Sequence, residues 1–381
     1  METHIKKLLL KLISLPSPFP DETPLQSFIA SYFLEKGYEI IAQQVEGHRA
    51  NIMVEKGKGE KTILLYSHMD TVSPAAGWKD NPFRPRTAGD KIYGLGAYDM
   101  KGGMAVNMLT FLRCRPKNMR VRLLFCVDEE NISRGGHTFA GSPLMEDTSC
   151  VLSPEPGFDY GTRGIVVGRI GRAVITIRLR RPPAHFYYYT PRDDVVAFAS
   201  RIVLELQKRY RDNGNGKKEF VFVREMKVHS EGMSTPGELY LELDTSILPP
   251  ETPDAMLSRI KKIAGEIIGK STEIDCRIDF KDRPTPFLGG YEMNPNNPYL
   301  KVMKKTILSV TGRRAHPYFR ASVADENIFG ALGKPVLGVG PAGGNAHSGQ
   351  EWVSLSSLVS LAGIYEQFLE SVDTPSQRKN D

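Results

Sequence analysis

The side chains of this 381-residue chain that could do metal-assisted chemistry are His68, Asp70, Asp99, Glu129, Glu130, Glu155 and His347. His68 and Asp70 are alternate residues on an extended stretch, so both point to one face. An imidazole that binds a metal needs a partner to fix its tautomer, and a nearby carboxylate supplies one. Glu129 and Glu130 follow an apolar run at 120–127, and Glu155 sits between Pro154 and Pro156 on stiff backbone. Successive side chains on an extended chain diverge, so Glu129 and Glu130 are expected to serve separately. One would bind metal and the other would stand beside it for proton transfer; the residues alone do not say which. Taken singly, each group reads equally well as part of a solvated turn. Repetition joins them: the apolar runs 62–66, 120–127 and 149–153 each end in imidazole or carboxylate. Two imidazoles and three carboxylates suit two zinc ions, with one carboxylate shared.

The elements that must position these groups follow from periodicity. Helices are expected at 2–14, 23–36, 193–211, 252–269, 298–311, 323–332 and 354–372. The helix at 23–36 is expected to start on a Thr or Asp cap with proline in its first turn. Strands are expected at 38–45, 50–55, 62–66, 120–127, 149–153, 219–229, 238–244, 273–280 and 335–339, with two more in 161–181. The tail 373–381 is polar and expected to fray. In open α/β sheets, sites form at the C-terminal ends of the strands. The ββαββαβ order after about residue 170 predicts a self-contained antiparallel sheet with two helices on one face. The fold expected is therefore an α/β catalytic domain of three αβα layers, interrupted by a ferredoxin-like α+β insert. The boundaries are 1–169 and 287–381 for the catalytic domain and 170–286 for the insert.

Composition narrows the function classes. The chain is 40% hydrophobic and 25% charged, an ordinary balance for a globular protein. No apolar stretch reaches 18 residues, so no membrane partner is expected. The net charge of +6 is scattered, which argues against nucleic acid. Cys114, Cys126, Cys150 and Cys276 are far apart and read as free thiols of a reducing compartment. Lys11 interrupts the N-terminal apolar run and no small-residue cleavage site follows, so a cytoplasmic location is expected.

Residues 67–72 (SHMDTV), the later GW and NPF, and 96–103 (GAYDMKGG) resemble the zinc-dependent M20 metallopeptidase family. That family includes ArgE, DapE, carboxypeptidase G2 and aminoacylase-1. The resemblance recurs in order along most of the chain. It implies that His68 and Glu155 hold one zinc, that Glu130 and His347 hold the other, and that Asp99 bridges them; cobalt or manganese are alternatives. It further implies that Glu129 is the general base, that Asp70 orients His68, and that His185 of the insert helps bind the substrate oxygen. A lid and a homodimer through the insert are implied as well.

The chain departs from the family pattern at several positions. Phe186 to Pro191 follow His185 where a small residue is usual, Ser246 stands where an arginine is often found, and Gly94-Leu95-Gly96 replaces a GRG-like element. Asp325 matches a family segment, without its preceding Gly-Thr. The expected activity is amide hydrolysis of an N-acyl amino acid, such as an acetylornithine- or succinyl-diaminopimelate-like substrate. The alternatives are a dipeptidase or carboxypeptidase acting on short peptides, and a metal-binding scaffold without catalysis. The intact Glu129 argues against the last. His137, His229 and His316 have no matching context and are expected to be structural or surface residues.

Overall fold

A computed structural model describes residues 1–190, 194–208, 210–212, 214, 216–269 and 273–374. Residues 193 and 209 of the expected helix 193–211, residue 191 after the tyrosine run, and tail residues 375–381 lie outside the described residues. The chain forms two compact units. The first comprises Met1–Val167, Met293–Tyr318 and Ala324–Asp381; the second comprises Gly168–Glu292 and Phe319–Val323.

In the first unit, the sheet runs Ile41–Glu46, Arg49–Gly57, Met119–Cys126, Lys61–His68, Thr148–Ser153, Val336–Gly338, and then the start of Gly164–Arg169. The strand Lys61–His68 pairs in parallel with Met119–Cys126 and with Thr148–Ser153, which pairs in parallel with Val336–Gly338. Every residue of Lys61–His68 except Lys61 is buried. A parallel strand covered on both faces needs such a continuous apolar run. Alternation sends Ile63 and Leu65 to one face, where they join a core with helices Glu2–Ile13, Gly102–Arg113, Pro298–Thr311 and Leu355–Asp373. Tyr66 points to the other face and meets Phe329, which in turn meets Phe139, on helices Glu326–Ala331 and Arg134–Ala140. This is the three-layer α/β arrangement.

The second unit is an antiparallel sheet in the order Val221–His229, Glu238–Ile247, Gly171–Arg180, Asp275–Phe280. Ala173, Ile175, Ile177 and Leu179 alternate onto one face, under helices Val195–Gln207 and Pro253–Ile268. The Thr252 side chain caps the second of these helices by accepting the Ala255 N–H at 3.2 Å, with Pro253 in the first turn.

Some expectations change. Helix Thr23–Leu34 starts on Glu22 with no side-chain cap, because the Glu22 carboxylate is engaged by Arg49. The helix expected at 323–332 is only Glu326–Ala331, and His316–Arg320 before it is a strand. A small sheet of Arg86–Ala88, Lys91–Tyr93, Trp352–Ser354 and Gly343–Gly344 escaped sequence reasoning, since strands of two or three residues show no period. All four cysteines are free. Among the described residues, no helix is long and apolar enough to cross a membrane.

Candidate metal centre

Parallel strands end at one edge of the sheet, and those ends carry the candidate groups. His68 is the last residue of its strand, Asp128-Glu129-Glu130 follow Cys126, and Glu155 follows Ser153. The His68 ring is buried. Its Nδ1 lies 3.0 Å from the carbonyl oxygen of Asp70, so Nδ1 carries the proton and Nε2 faces the site. Nε2 is 3.3 Å from Asp99 Oδ1 and 3.3 Å from Glu155 Oε1. On the other side, His347 Nε2 is 2.9 Å from Glu130 Oε1 and 3.3 Å from Asp99 Oδ2. The two oxygens of Asp99 therefore face two different imidazoles.

The Asp70 carboxylate is 3.5 Å from His68 Nδ1, but its hydrogen bonds go elsewhere. Oδ1 accepts the N–H of Glu129 at 3.1 Å and Oδ2 accepts that of Glu130 at 2.8 Å. Asp70 thus holds the acidic turn as well as standing beside the imidazole. A buried frame supports the same turn from behind. Arg49 donates to Glu22 at 2.8 Å, Asp128 N–H donates to Glu22 at 3.2 Å, and Arg134 donates to Asp128 at 3.1 Å. Asp128 itself adopts φ 70°, a left-handed conformation that aspartate tolerates better than most residues. Sequence reasoning missed Glu22 and Arg49, because nothing local marks residues that meet Asp128 from 106 and 79 positions away in the chain.

The divergence expected of Glu129 and Glu130 does not hold. The strand stops at Cys126, and these residues lie in a turn, where the alternation of an extended chain no longer applies. His68, Glu129 and Glu130 each offer an atom within 4.8 Å of the others. The same holds for His68, Asp99 and Glu155, and for Asp99, Glu130 and His347. Glu129 Oε1 accepts the N–H of Asp325 at 3.3 Å, and the Asp325 carboxylate accepts the Tyr66 hydroxyl at 3.0 Å.

His185 lies in the second unit, exposed, with its Nδ1 accepting the N–H of Tyr187 at 3.3 Å. Ser246 is buried in the second unit's sheet. Its hydroxyl accepts the Phe220 N–H at 2.7 Å and donates to the Lys218 carbonyl at 3.0 Å, so this position offers no cation. His229 is exposed, and His316 stacks on Tyr160 at 4.1 Å.

Burial and the close approach of acids to imidazoles shift the affinity of these groups for protons. Burial alone would depress His68, but the Asp70, Asp99 and Glu155 carboxylates, 3.3–3.5 Å from its ring nitrogens, outweigh burial and raise it well above the usual imidazole range. Hydrogen bonds to Asp99 and Glu130 push His347 up to about 11. Burial, reinforced by the Asp99 charge, pushes Glu130 up to about 7. Burial also raises Glu129 well above the carboxylate range; His68 opposes this, and Glu155 and Glu130 add to it. Asp99 runs the other way: burial would raise it, but the two imidazoles hold it below its ordinary value.

The donor set fits metal ions. Glu155 Oε1 is buried, and its 3.3 Å approach to His68 Nε2 falls short of a well-formed hydrogen bond, so a cation between the two would satisfy both. The separations of 3.3 Å match the edge of a tetrahedron whose corners lie about 2 Å from its centre, the distance at which zinc takes nitrogen and oxygen.

A family model described as Peptidase family M20/M25/M40 matches residues 64–371. A succinyl-diaminopimelate desuccinylase of Shewanella pealeana is 26% identical over 387 residues, covering 97% of this chain and 98% of the relative. The solved structure of aminopeptidase PepT from Bacillus cereus superposes with a TM-score of 0.78 at 17% identity, covering 98% of this chain and 99% of that one. Bacillus subtilis YXEP, described as a dinuclear metal-binding peptidase, superposes with a TM-score of 0.74 at 15% identity, covering 97% and 98%.

Proposed function

We propose, from the premise that this chain belongs to peptidase family M20/M25/M40 and is a hydrolase of amide bonds, that it is a dinuclear zinc deacylase. Its substrate on this reading is an N-acyl amino acid of the acetylornithine or succinyl-diaminopimelate kind, and its product a free amino acid. The observation that carries the reading is Asp99, whose two oxygens each face a different histidine at 3.3 Å. His68 and Glu155 would hold one ion, Glu130 and His347 the other, and Asp99 both. When bound, the ions supply Lewis acidity, polarising the substrate carbonyl and lowering the pKa of water.

Glu129 takes a proton from the attacking water and delivers it to the leaving nitrogen. Its burial and its carboxylate neighbours raise its proton affinity, as a group that must both accept and donate requires. Asp70 fixes the Glu129 and Glu130 backbones, and the Asp325 N–H steadies the Glu129 carboxylate. His185 contributes to binding of the substrate oxygen. The division at 1–169, 170–286 and 287–381, with the insert serving closure and pairing of two copies, belongs to the same reading, as does a cytoplasmic setting. The desuccinylase relative supports the substrate class; with Ser246 buried and uncharged, an arginine contact to a substrate carboxylate on this reading comes from another position.

The test is a panel of N-acetyl and N-succinyl amino acids beside dipeptides, run on zinc-loaded protein, on cobalt- and manganese-loaded protein, and after chelation. Turnover of acyl amino acids that chelation abolishes supports the deacylase. Preference for dipeptides replaces it with a peptidase. No turnover of either, with metal bound, leaves a scaffold.

A further inference from the structure

The loop that carries His347 has an anchor outside the proposed ligand set. Glu351 is 1% exposed. Its Oε1 accepts the N–H groups of Tyr98 at 2.8 Å and Asp99 at 2.9 Å, and its Oε2 accepts that of Gly96 at 3.0 Å. Its carbonyl oxygen accepts the N–H of Gly94 at 3.1 Å. One residue thus gathers main-chain donors from both ends of the segment 94–99, more than 250 positions earlier in the chain. A carboxylate taking several N–H donors makes hydrogen bonds roughly twice as strong as neutral ones.

The local backbone is built for this contact. Gly96 adopts φ +77°, and a Cβ there would come within 2.7 Å of Thr71 Cγ2. Trp352, next after Glu351, pairs with Tyr93 in the small sheet. At the other end of the loop, His347 Nε2 lies 3.3 Å from Asp99 Oδ2. Along this loop the chain bends sharply: Asn345, His347 and Gln350 all have positive φ, at 60°, 59° and 64°. Non-glycine residues hold that conformation only where their surroundings over-determine it.

We propose that Glu351 is a positioning residue for the metal centre. By clamping the amides of Gly96, Tyr98 and Asp99, it sets the distance between the Asp99 carboxylate and the His347 imidazole. The proposal rests on reading Asp99 and His347 as metal ligands. Glu351 touches no metal; it acts through the two loops that do.

The experiment compares metal-stripped E351Q, E351D and H68A with the unsubstituted protein. Zinc is titrated by calorimetry, and cobalt(II) is added separately to read visible absorption. In E351Q a side-chain amide donor must oppose at least one backbone N–H, so the clamp loosens while every ligand remains. Zinc affinity is expected to fall roughly 10–100-fold, as for other groups that orient metal ligands, with two ions still bound at saturation and a shifted cobalt spectrum. E351D keeps the charge on a shorter stem and falls between the two.

A lowered melting temperature with zinc affinity and cobalt spectrum unchanged would reduce Glu351 to a structural plug and overturn the proposal. If E351Q does not fold, E351D decides alone by the same measurements: weakened zinc binding supports the proposal and unchanged binding overturns it. H68A separates the two layers of inference. Should it bind two zinc ions as tightly as the unsubstituted protein, the ligand assignment itself fails, whatever E351Q does.

Discussion

In the second unit's sheet, Glu242 lies 2.9 Å from Lys281 Nζ and 3.3 Å from Arg224 Nε, and Asp244 lies 2.7 Å from Arg172 and 3.3 Å from Arg224. At the tips of the first unit's parallel strands, Asp99, Glu130 and Glu155 meet only imidazoles among the described ion pairs. The first pattern is ordinary neutralisation of buried acids by half-exposed bases: each acid meets lysine or arginine, which keep their charge at neutral pH. The second leaves a surplus of acid that protons cover while no cation is present. Buried charge persists when it is paired or when it coordinates metal, and these carboxylates lack permanent cations. On the proposed reading, the contrast marks where the chain gives up local stability for chemistry.

Substitutions at the strand tips should sharpen this contrast most. His68→Ala should abolish stoichiometric metal binding, and activity with it. Glu129→Gln should keep the metal, read by elemental analysis, yet lower kcat roughly 10²–10⁴-fold, the usual share of a general base. Full turnover in Glu129→Gln would remove Glu129 from the proton path.

The frame behind the acidic turn comes next. Glu22→Gln leaves the Arg49 guanidinium short of its main partner in a buried setting. The expected loss is about 3 kcal/mol in denaturant unfolding, the lower end for breaking a buried pair because Asp128 remains at 3.4 Å. A loss below about 1 kcal/mol would place the pair among surface pairs in its energetics.

Metal binding should also depend on pH with a defined sign. In the metal-free protein Glu130 is raised to about 7 by burial and His347 to about 11 by Asp99 and Glu130. Protons therefore occupy the imidazoles through neutral pH, and Glu130 as well below about 7. A cation must displace them, so zinc affinity should fall as pH falls. Calorimetry in buffers of different ionisation enthalpy would count the protons released; none released would contradict the assignment.

The smallest effect belongs to the second unit. Asp244 is buried, but the Arg172 and Arg224 it would leave behind are 43% and 38% exposed and can turn to water, so Asp244→Asn should cost about 1 kcal/mol, with metal content unchanged. Loss of metal in this variant would erase the contrast between the two regions.

The sequence alone determined a good deal. Apolar runs at 62–66, 120–127 and 149–153 had to be buried strands, and His68, Glu129, Glu130 and Glu155 had to lie at their ends, because burial and chain polarity are local properties. The antiparallel order of the second unit was legible for the same reason. Tertiary structure decided the rest. Whether Glu129 and Glu130 diverge depended on a turn at Asp128 that Glu22 and Arg49 hold from distant segments. That the Asp70 carboxylate binds two backbone amides rather than only its histidine depended on where the neighbouring strand ended. That Glu351 reaches the amides of Gly96, Tyr98 and Asp99 depended on a short sheet bringing residue 352 opposite residue 93. Residue type and period fix which groups reach the edge of a sheet. Which of them face one another is set by strand order and loop packing, whose energies come from contacts between residues far apart in the chain.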